Sequence, residues 1–189
     1  MYYEQMAQVL KSIGVDTTLN ELQEGFEVLK LNSGEHFIRQ GEIENRIAFI
    51  CQGYLRYYYI TLDGDDITKH FAFENDFAAS YASLIYQKPT AYNIVAEEDC
   101  VLLIMSHETY MKSIHSHRKW ERVARLYTEN IYNLKEIREA ALLLMDAKDR
   151  YIDFVNQYPM AESRMKQKHI ATYLGIHPVS LSRVKKEIK

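Results

Sequence analysis

The feature that most constrains the fold lies near the end of the sequence, where residues 167–186 have the pattern of two short helices joined by a tight turn. Ile170 and Leu174 are four residues apart and, with the alanine that follows Ile170, predict a buried stripe. Gly175 comes next, and glycine readily adopts the left-handed conformation in which many helices end. Pro178 stands where the second helix would begin, because its fixed φ suits the first helical position.

The second of these helices has an apolar side and a polar side. Leu181 and Val184 are three residues apart and are predicted to face the first helix, so the other positions project outward. This is the layout of a DNA-reading helix-turn-helix, whose second helix enters the major groove. A helical hairpin that does not contact nucleic acid is the alternative interpretation. The predicted DNA-contacting residues are His177, Val179, Ser180, Ser182, Arg183, Lys185 and Lys186, together with Lys168 on the first helix.

The charge distribution favours the nucleic-acid interpretation. Residues 164–189 contain seven basic side chains and one acidic side chain, whereas the rest of the sequence contains 16 basic and 25 acidic ones. Lysine and arginine release condensed counterions when they contact DNA phosphates, so a basic end on an acidic body fits a phosphate-contacting module. A solvated basic tail would carry the same charge, but it would not need the ordered helical pattern.

Length and composition exclude several classes of protein. The 189 residues suffice for one large or two small domains, and a hydrophobic fraction of 47% predicts a folded core. No apolar run approaches the roughly 20 residues of a membrane span, and the N-terminal residues show no basic region followed by an apolar segment, as a secretory signal would, so we expect a cytoplasmic protein. Cys51 and Cys100 are isolated, which argues against zinc or iron–sulfur ligation and predicts free, buried thiols.

The region before the basic end is predicted to contain β-structure followed by a long helix. Asp63-Gly64 is a hairpin-turn pair, and short strands at regular intervals are typical of a sandwich or barrel. Between about residues 120 and 145 no glycine or proline interrupts a helical pattern, and a supporting helix is predicted over residues 146–158. The predicted strands cover residues 37–41, 47–51, 54–60, 67–73, 92–96 and 100–105.

The long helix carries two overlapping apolar stripes. A helix of this kind can contact its own β-structure with one stripe and the same helix of a second copy with the other, so the pattern predicts a homodimer. A monomer that buries both stripes in its own core is the alternative. Asn130 is the polar position expected to fix the register of the two helices. The predicted dimer interface comprises Val123, Tyr127, Asn130, Leu134, Ile137 and Ala141.

The order of these elements resembles that of the Crp/Fnr family of bacterial transcription regulators. The strand residues 37–42 and 47–54 are similar to the glycine-punctuated strands of that family, and Asn75-Asp76-Phe77 is similar to its Gly-Asp-Phe turn. Residues 170–183 are similar to its helix-turn-helix, and their Leu-Ser-Arg ending best matches the branch found in Bacteroidetes-type bacteria. The resemblance implies an α+β fold with an N-terminal cyclic-nucleotide-binding-type β-roll, of the double-stranded β-helix or jelly-roll kind, in residues 1–116. A long dimerisation helix (117–145) and a helix-turn-helix domain (146–189) would follow.

The resemblance further implies a homodimer that reads a near-palindromic DNA site with recognition helix 178–188. Arg183 matches the base-reading arginine of the family, and an arginine can bond guanine O6 and N7 together. Pro178 and Val179 replace the other two base-reading residues, so the preferred DNA sequence is expected to differ. Only six residues follow Arg183, so we expect the usual β-hairpin wing to be missing. RNA polymerase is a further candidate partner, and no membrane partner is expected.

The resemblance also locates a candidate effector pocket in the roll. Ser80, Thr90 and Ala91 fall where cyclic-nucleotide binders hold the ribose and phosphate, and none of them is charged. A phosphodiester would therefore lack the arginine that normally pairs with it, so we expect an unidentified small-molecule effector rather than cyclic AMP. The cysteine cluster used for iron–sulfur sensing in the family is missing, and no cofactor is expected. Tyr81, Ser83 and Tyr92 complete the candidate pocket.

Two other classes of function compete with a DNA-binding regulator. A metal-dependent enzyme with a cupin-type roll would need His-x-His and Glu ligands inside the barrel, whereas His115-Ser116-His117 lies after the strands. We therefore expect neither catalytic residues nor a metal site. A roll that only dimerises or binds a protein partner, with a vestigial helix-turn-helix, is the alternative, since Pro178 and Val179 weaken the match at the recognition helix.

Overall fold

A computed structural model describes residues 1–188 of the chain as two compact units. The first unit comprises Met1–Tyr59 and His70–Thr128. The second comprises Ile60–Lys69 and the chain from Glu129 onward. The sequence-based division into three domains stays a prediction.

Within residues 1–188 the elements follow one another in an α+β order, with eight strands and one short helix between two groups of helices. The predicted β-roll and long helix are confirmed. In chain order the elements are α1 (Tyr2–Ser12), α2 (Leu19–Gly25), β1 (Glu27–Leu31), β2 (His36–Ile38), β3 (Arg46–Gln52), β4 (Leu55–Ile60), β5 (Asp66–Ala72), β6 (Phe77–Ala78), α3 (Tyr81–Tyr86), β7 (Asn93–Ala96), β8 (Cys100–Ser106), α4 (His107–Ser116), α5 (Arg118–Leu144), α6 (Ala147–Gln157), α7 (Ala161–Arg164), α8 (Gln167–Tyr173) and α9 (Pro178–Ile188).

The strands form two four-stranded sheets, in the orders β1-β8-β3-β6 and β2-β7-β4-β5. In the first sheet Phe49 pairs with Leu103, and Ile50 pairs with Leu102. Because neighbouring residues of a strand point to opposite faces, the two pairs lie on opposite sides of the sheet. Phe49 and Leu103 belong to one buried cluster, which includes Met6 of α1, while Ile50 and Leu102 belong to another. Both faces of the sheet are therefore buried, which explains the uninterrupted apolar runs of β3 and β8.

The two cysteines are free and buried, as predicted. Burial raises the pKa of the Cys51 thiol to about 11, so this thiol stays protonated at neutral pH. The Cys100 thiol donates weakly to the carbonyl of Tyr54, at 3.5 Å.

An ion pair lies inside the roll. Arg56 donates from Nε to Oε1 of Glu97 at 2.5 Å, and each side chain is only 4% exposed. The guanidinium carbon of Arg56 lies 4.3 Å from the centre of the Tyr58 ring. The pair joins β4 to the residue that follows β7, two segments 41 positions apart in sequence.

Gly53 lies in the turn between β3 and β4, with φ of +81°. A Cβ atom at this position would lie 2.6 Å from Sγ of Cys100 and 2.7 Å from the carbonyl oxygen of Asp99. The turn therefore needs glycine both for its backbone conformation and for the space that a side chain would fill.

The second unit combines the helices after Glu129 with the tip of a hairpin between β4 and β5. The predicted Asp63-Gly64 turn is present, and Gly64 has φ of +86°. Asp146 caps α6, because its Oδ1 accepts from the backbone N–H groups of Lys148 and Asp149. No helix within residues 1–188 is long and apolar enough to cross a membrane.

Candidate nucleic-acid interface and roll pocket

Helix α8 ends in a Schellman motif that sets the turn before α9. Gly175 has φ of +68°, its N–H donates to Thr172 O at 3.2 Å, and the N–H of Ile176 donates to Ala171 O at 3.0 Å. The helix α9 then begins at Pro178, as predicted from the sequence. The predicted buried residues are confirmed as well: Ile170, Ala171, Leu174, Leu181 and Val184 are each less than a tenth exposed.

One side of α9 faces away from this small core. Val179, Ser182, Arg183 and Lys186 are all exposed, and their spacing of three and four residues places them on a single helical face. Within residues 1–188 Arg183 makes no hydrogen bond or ion pair, so its guanidinium can donate to an external acceptor. Val179 is 54% exposed and offers a methyl surface next to these polar groups.

The other predicted DNA contacts have different surroundings. His177 precedes α9, and its Nδ1 accepts from the N–H of Val179 at 3.3 Å, so the side chain helps to cap the helix. Ser180 is half-buried, while Lys168 of α8 is exposed. Lys185 pairs with Glu162 at 2.8 Å and donates to Oε1 of Gln167 at 3.0 Å.

Glu162 connects three helices of the second unit. Its carboxylate accepts a short hydrogen bond from the hydroxyl of Tyr151 on α6 and pairs with Lys185 on α9. Burial and the neighbouring carboxylate raise the pKa of Tyr151, which therefore keeps its donor proton. The sequence predicts a DNA contact for Lys185, whereas the structure gives this side chain partners within the protein.

The C-terminal end of α8 accepts hydrogen bonds from two arginines that are not predicted from the sequence. Arg138 of α5 donates from Nη2 to Tyr173 O at 2.7 Å, and Arg150 of α6 donates from Nε to Leu174 O at 2.9 Å. Arg138 stands in the apolar stripe that contains Leu134 and Ala141, and an arginine at such a position is the sequence signal of a partly buried charge.

The predicted pocket residues of the roll lie at the segment around α3. Ser80, Ser83 and Thr90 are buried, Tyr92 is half-buried, and Tyr81 and Ala91 are exposed. The Ser83 hydroxyl donates to Lys88 O at 2.8 Å, and the Thr90 hydroxyl donates to Tyr92 O at 3.2 Å. These hydroxyls therefore hold the segment together.

Tyrosine side chains occupy the space beside this segment. Tyr127 donates from its hydroxyl to Phe77 O at 3.1 Å, and Tyr92 donates to Ala79 O at 3.4 Å. The rings of Tyr57 and Tyr92 are 5.7 Å apart between centres. Burial, with smaller effects of the neighbouring phenols, raises the pKa of Tyr57, Tyr92 and Tyr127. The sequence predicts Tyr92 as a pocket residue but not Tyr57, and it predicts Tyr127 for the dimer interface instead.

The residues predicted for a dimer interface lie along α5 in different surroundings. Within residues 1–188, Val123 is buried in the core of the first unit and Ala141 in the second unit. Ile137 is 48% exposed and Asn130 is exposed, while Leu134 is half-buried. The assignment of these residues to an interface stays a prediction. Near the end of the helix Leu143 and Leu144 are 75% and 84% exposed.

No group of three or more His, Cys, Asp or Glu side chains within residues 1–188 could hold a metal ion. His115 lies on α4, where its Nδ1 bonds to Met111 O at 2.7 Å.

Comparison with known proteins agrees with this architecture. A family model described as the cyclic nucleotide-binding domain matches residues 28–117. FixK2 from Bradyrhizobium japonicum is a similar solved structure, with a TM-score of 0.76 and 16% identity over 86% of this chain and 84% of that chain. A CooA mutant from Carboxydothermus hydrogenoformans has a TM-score of 0.75 and 16% identity, and the match covers 95% of this chain and 83% of that one.

A transcriptional regulator of the crp/fnr family from Eubacterium rectale has a TM-score of 0.70 and 18% identity, over 89% of this chain and 81% of that chain. No curated protein sequence is similar enough to this chain to count as a match. At these identities the likeness to the solved structures concerns the fold. Residues 28–117 are therefore similar to the cyclic nucleotide-binding domain, and the chain has the fold of the Crp/Fnr-type regulators that its sequence resembles.

Proposed function

We propose that the chain is a DNA-binding transcription regulator of the Crp/Fnr type and not an enzyme. The observation that carries the proposal is the exposed face of α9, where Arg183 has no partner within residues 1–188 and lies beside Ser182, Lys186 and Val179. A helix of this width fits the major groove of DNA, where arginine can bond guanine through two atoms. The net positive charge of residues 164–189 supplies the attraction to phosphates. No wing is needed in this arrangement, because α9 itself carries the contacts.

The same regulator acts as a homodimer in this proposal. Ile137, Ala140 and Leu144 are exposed and lie on one side of α5 at helical spacing. An apolar stripe on a long helix loses contact with water when it packs against the same helix of a second copy. Asn130 lies two turns before Ile137 on α5, is also exposed, and supplies a polar position that can fix the register. Two copies would present two α9 helices to a near-palindromic site.

Replacing Arg183 by alanine is expected to weaken specific DNA binding by about 1–3 kcal/mol, roughly 5- to 150-fold, and to relax the preference at one base position. Binding is measured by titration against DNA from upstream of the protein's own gene, with nonspecific competitor present. The matched control is Arg118→Ala, which removes the same charge from an exposed position of the first unit and should leave the affinity unchanged.

Two outcomes contradict this assignment. If Arg183→Ala binds the same DNA as tightly as the unaltered protein, Arg183 does not contact a base. If the unaltered protein binds this DNA no better than random DNA, even after addition of cell extract, the chain is a roll-type interaction module with a vestigial helix-turn-helix.

Lys185 and Lys186 are expected to respond differently to the same substitution. Lys186→Gln should reduce the slope of log affinity against log salt by about one, because one phosphate contact is lost. Lys185→Gln should leave the slope unchanged and lower the melting temperature, because Lys185 pairs with Glu162 and Gln167 inside the protein. Titrations at several salt concentrations, together with thermal melts, separate the two roles. Equal changes of slope in both variants would show that Lys185 also contacts phosphate.

The roll is proposed to respond to a signal other than cyclic AMP. Ser80, Thr90 and Ala91 offer no cation to a phosphodiester, and Tyr92 and Tyr127 already donate to carbonyl groups beside α3. We therefore expect about 1 mM cyclic AMP to leave the melting temperature unchanged, whereas a ligand at 100 times its Kd would add about 2.7 kcal/mol of stability. A rise of more than about 2 °C, close to the effect of 1 kcal/mol in a chain of this size, would contradict the proposal.

A further inference from the structure

Residues from four segments of the second unit meet at the C-terminal end of α8. The carbonyl groups that close this helix belong to Tyr173 and Leu174, and they accept from Arg138 of α5 and Arg150 of α6. The last carbonyls of a helix have no partner within the helix and carry the negative end of its dipole, so two guanidinium groups are favourable there. Arg150 also donates to Met145 O at 2.6 Å, which ties the end of α5 to the same point.

Arg138 additionally connects α8 to the tip of the hairpin between β4 and β5, residues Ile60–Lys69. Its Nη2 lies 3.3 Å from Thr68 O, and its guanidinium carbon lies 4.3 Å from the centre of the Tyr173 ring. The hydroxyl groups of Thr68 and Thr172 are 3.0 Å apart, and the N–H of Thr68 donates to the Thr172 hydroxyl at 3.2 Å. Thr68 is fully buried. We name these four residues, Thr68, Arg138, Thr172 and Tyr173, the Arg138 junction.

The junction acts on α9 through the packing of α8. Ile170 and Leu174 of α8 and Leu181 and Val184 of α9 are all buried, so the two helices share one small core. A close-packed core transmits a displacement of one helix to the other instead of absorbing it. The orientation of the exposed face of α9 therefore depends on what holds α8.

We propose that Arg138 is a positioning residue for DNA binding, which ties α8 to the hairpin through Thr68 and thereby fixes the orientation of α9. The inference rests on the proposed function, because it assigns a consequence for DNA affinity to a contact that includes none of the DNA-facing residues. It makes the hairpin a control element: any signal that displaces Thr68 weakens DNA binding without touching α9.

Substitutions at Arg138 test whether its guanidinium contacts with Thr68 and Tyr173 affect DNA binding. Arg138→Gln and Arg138→Lys are both expected to lower DNA affinity about tenfold, a coupling of the size that remote residues exert. Lysine keeps the charge but lacks the planar guanidinium, which lies against the Tyr173 ring while its Nη2 donates to the carbonyls of Thr68 and Tyr173. The salt slope should stay unchanged, because no phosphate contact is lost. Lys135→Gln is the matched control, since it removes a charge from an exposed position three residues away on the same helix and should change affinity less than twofold.

A rescue experiment distinguishes positioning from a general loss of stability. Thr68→Cys and Thr172→Cys are introduced together into the Arg138→Gln variant, so that a disulfide can replace the contact between the two hydroxyls. The native thiols of Cys51 and Cys100 are buried and do not compete. Oxidation is expected to restore the DNA affinity, and a reductant to abolish the recovery. The oxidised fraction is measured from the loss of free thiols.

The proposal is overturned if folded Arg138→Gln binds DNA like the unaltered protein, or if the formed disulfide restores no affinity. Should the unaltered protein bind no DNA at all, the proposed function fails, and the junction is judged by amide hydrogen exchange instead. At least tenfold faster exchange at the backbone of residues 174–176 in Arg138→Gln would then support the positioning role. Unchanged exchange there would overturn it.

Discussion

Replacing Glu97 by glutamine is expected to lower the free energy of unfolding of the first unit by about 3–5 kcal/mol, as is usual when one partner of a buried ion pair is removed. The guanidinium of Arg56 would keep its charge at a site where it is only 4% exposed, and would lose the Glu97 carboxylate, whose Oε1 lies 2.5 Å from Nε. The Tyr58 ring, 4.3 Å away, offers a much weaker attraction to a cation. The change preserves the size of the side chain, so packing stays nearly constant.

The effect is measured by thermal unfolding followed through the fluorescence of the single tryptophan, Trp120, which belongs to the first unit. A chain of this length should melt about 10 °C lower. The double replacement Arg56→Met with Glu97→Leu should recover most of the loss, because it removes both charges from the buried site. An ion pair closer to solvent supplies the second control: the side chains of Glu44 and Arg46 are 19% and 35% exposed, so Glu44→Gln should lower the melting temperature clearly less than Glu97→Gln. Equal losses of melting temperature in Glu97→Gln and Glu44→Gln would show that burial of the pair between Arg56 and Glu97 does not determine the cost.

Replacing Gly53 by alanine is expected to lower the free energy of unfolding by about 2–5 kcal/mol, the sum of two separate penalties. A residue with a side chain loses about 1–2 kcal/mol in the left-handed region that Gly53 occupies. Its Cβ would also lie 2.6 Å from Sγ of Cys100 and 2.7 Å from Asp99 O, so the turn or β8 must shift, and overpacking of this kind costs about 1–3 kcal/mol.

The chain offers a matched control at Gly34. Its φ of +89° is similar to that of Gly53, but nothing lies within 4 Å of the position of its Cβ. Gly34→Ala should therefore show the conformational penalty alone, and the difference between the two variants measures the steric part. Denaturant unfolding of both proteins checks the prediction. If the two substitutions have equal cost, the close approach of Cys100 does not contribute to stability.

Sequence patterns correctly predict those parts of the fold whose secondary structure is determined by residues close together in the sequence. Strands β3 and β8 are predictable from their apolar runs, because both faces of their sheet are buried and nearly every residue of the two strands is therefore apolar. The predicted strand 37–41 was too long, since β2 ends at Ile38. Strand β1 was missed because its side chains, such as Glu27 and Lys30, are mostly exposed and leave no clear alternation. The two-residue strand β6 is too short to produce a pattern.

The exposed face of α9 is predictable as well, because it too depends on residues close together in the sequence. Helical spacing alone separates buried Leu181 and Val184 from exposed Ser182 and Arg183. The same spacing cannot tell which outward lysine finds a partner within the protein, because Glu162 lies in another helix. The contact between Arg138 and Thr68 was also beyond a pattern-based prediction, since 70 positions separate the two residues.

The second unit consists of two separate stretches of the sequence, and this separation affects how the chain folds. Thr68 and Thr172 are 104 positions apart, so the hairpin emerges from the ribosome long before the helix that it contacts. Contacts of such long sequence separation form slowly, because the entropy of closing the loop must be offset before they stabilise anything. During that interval the hairpin presents side chains such as Leu62 without the helices of its own unit. A fragment that begins at Glu129 would lack the hairpin altogether, so this unit cannot be separated from the chain by cleavage at a single peptide bond.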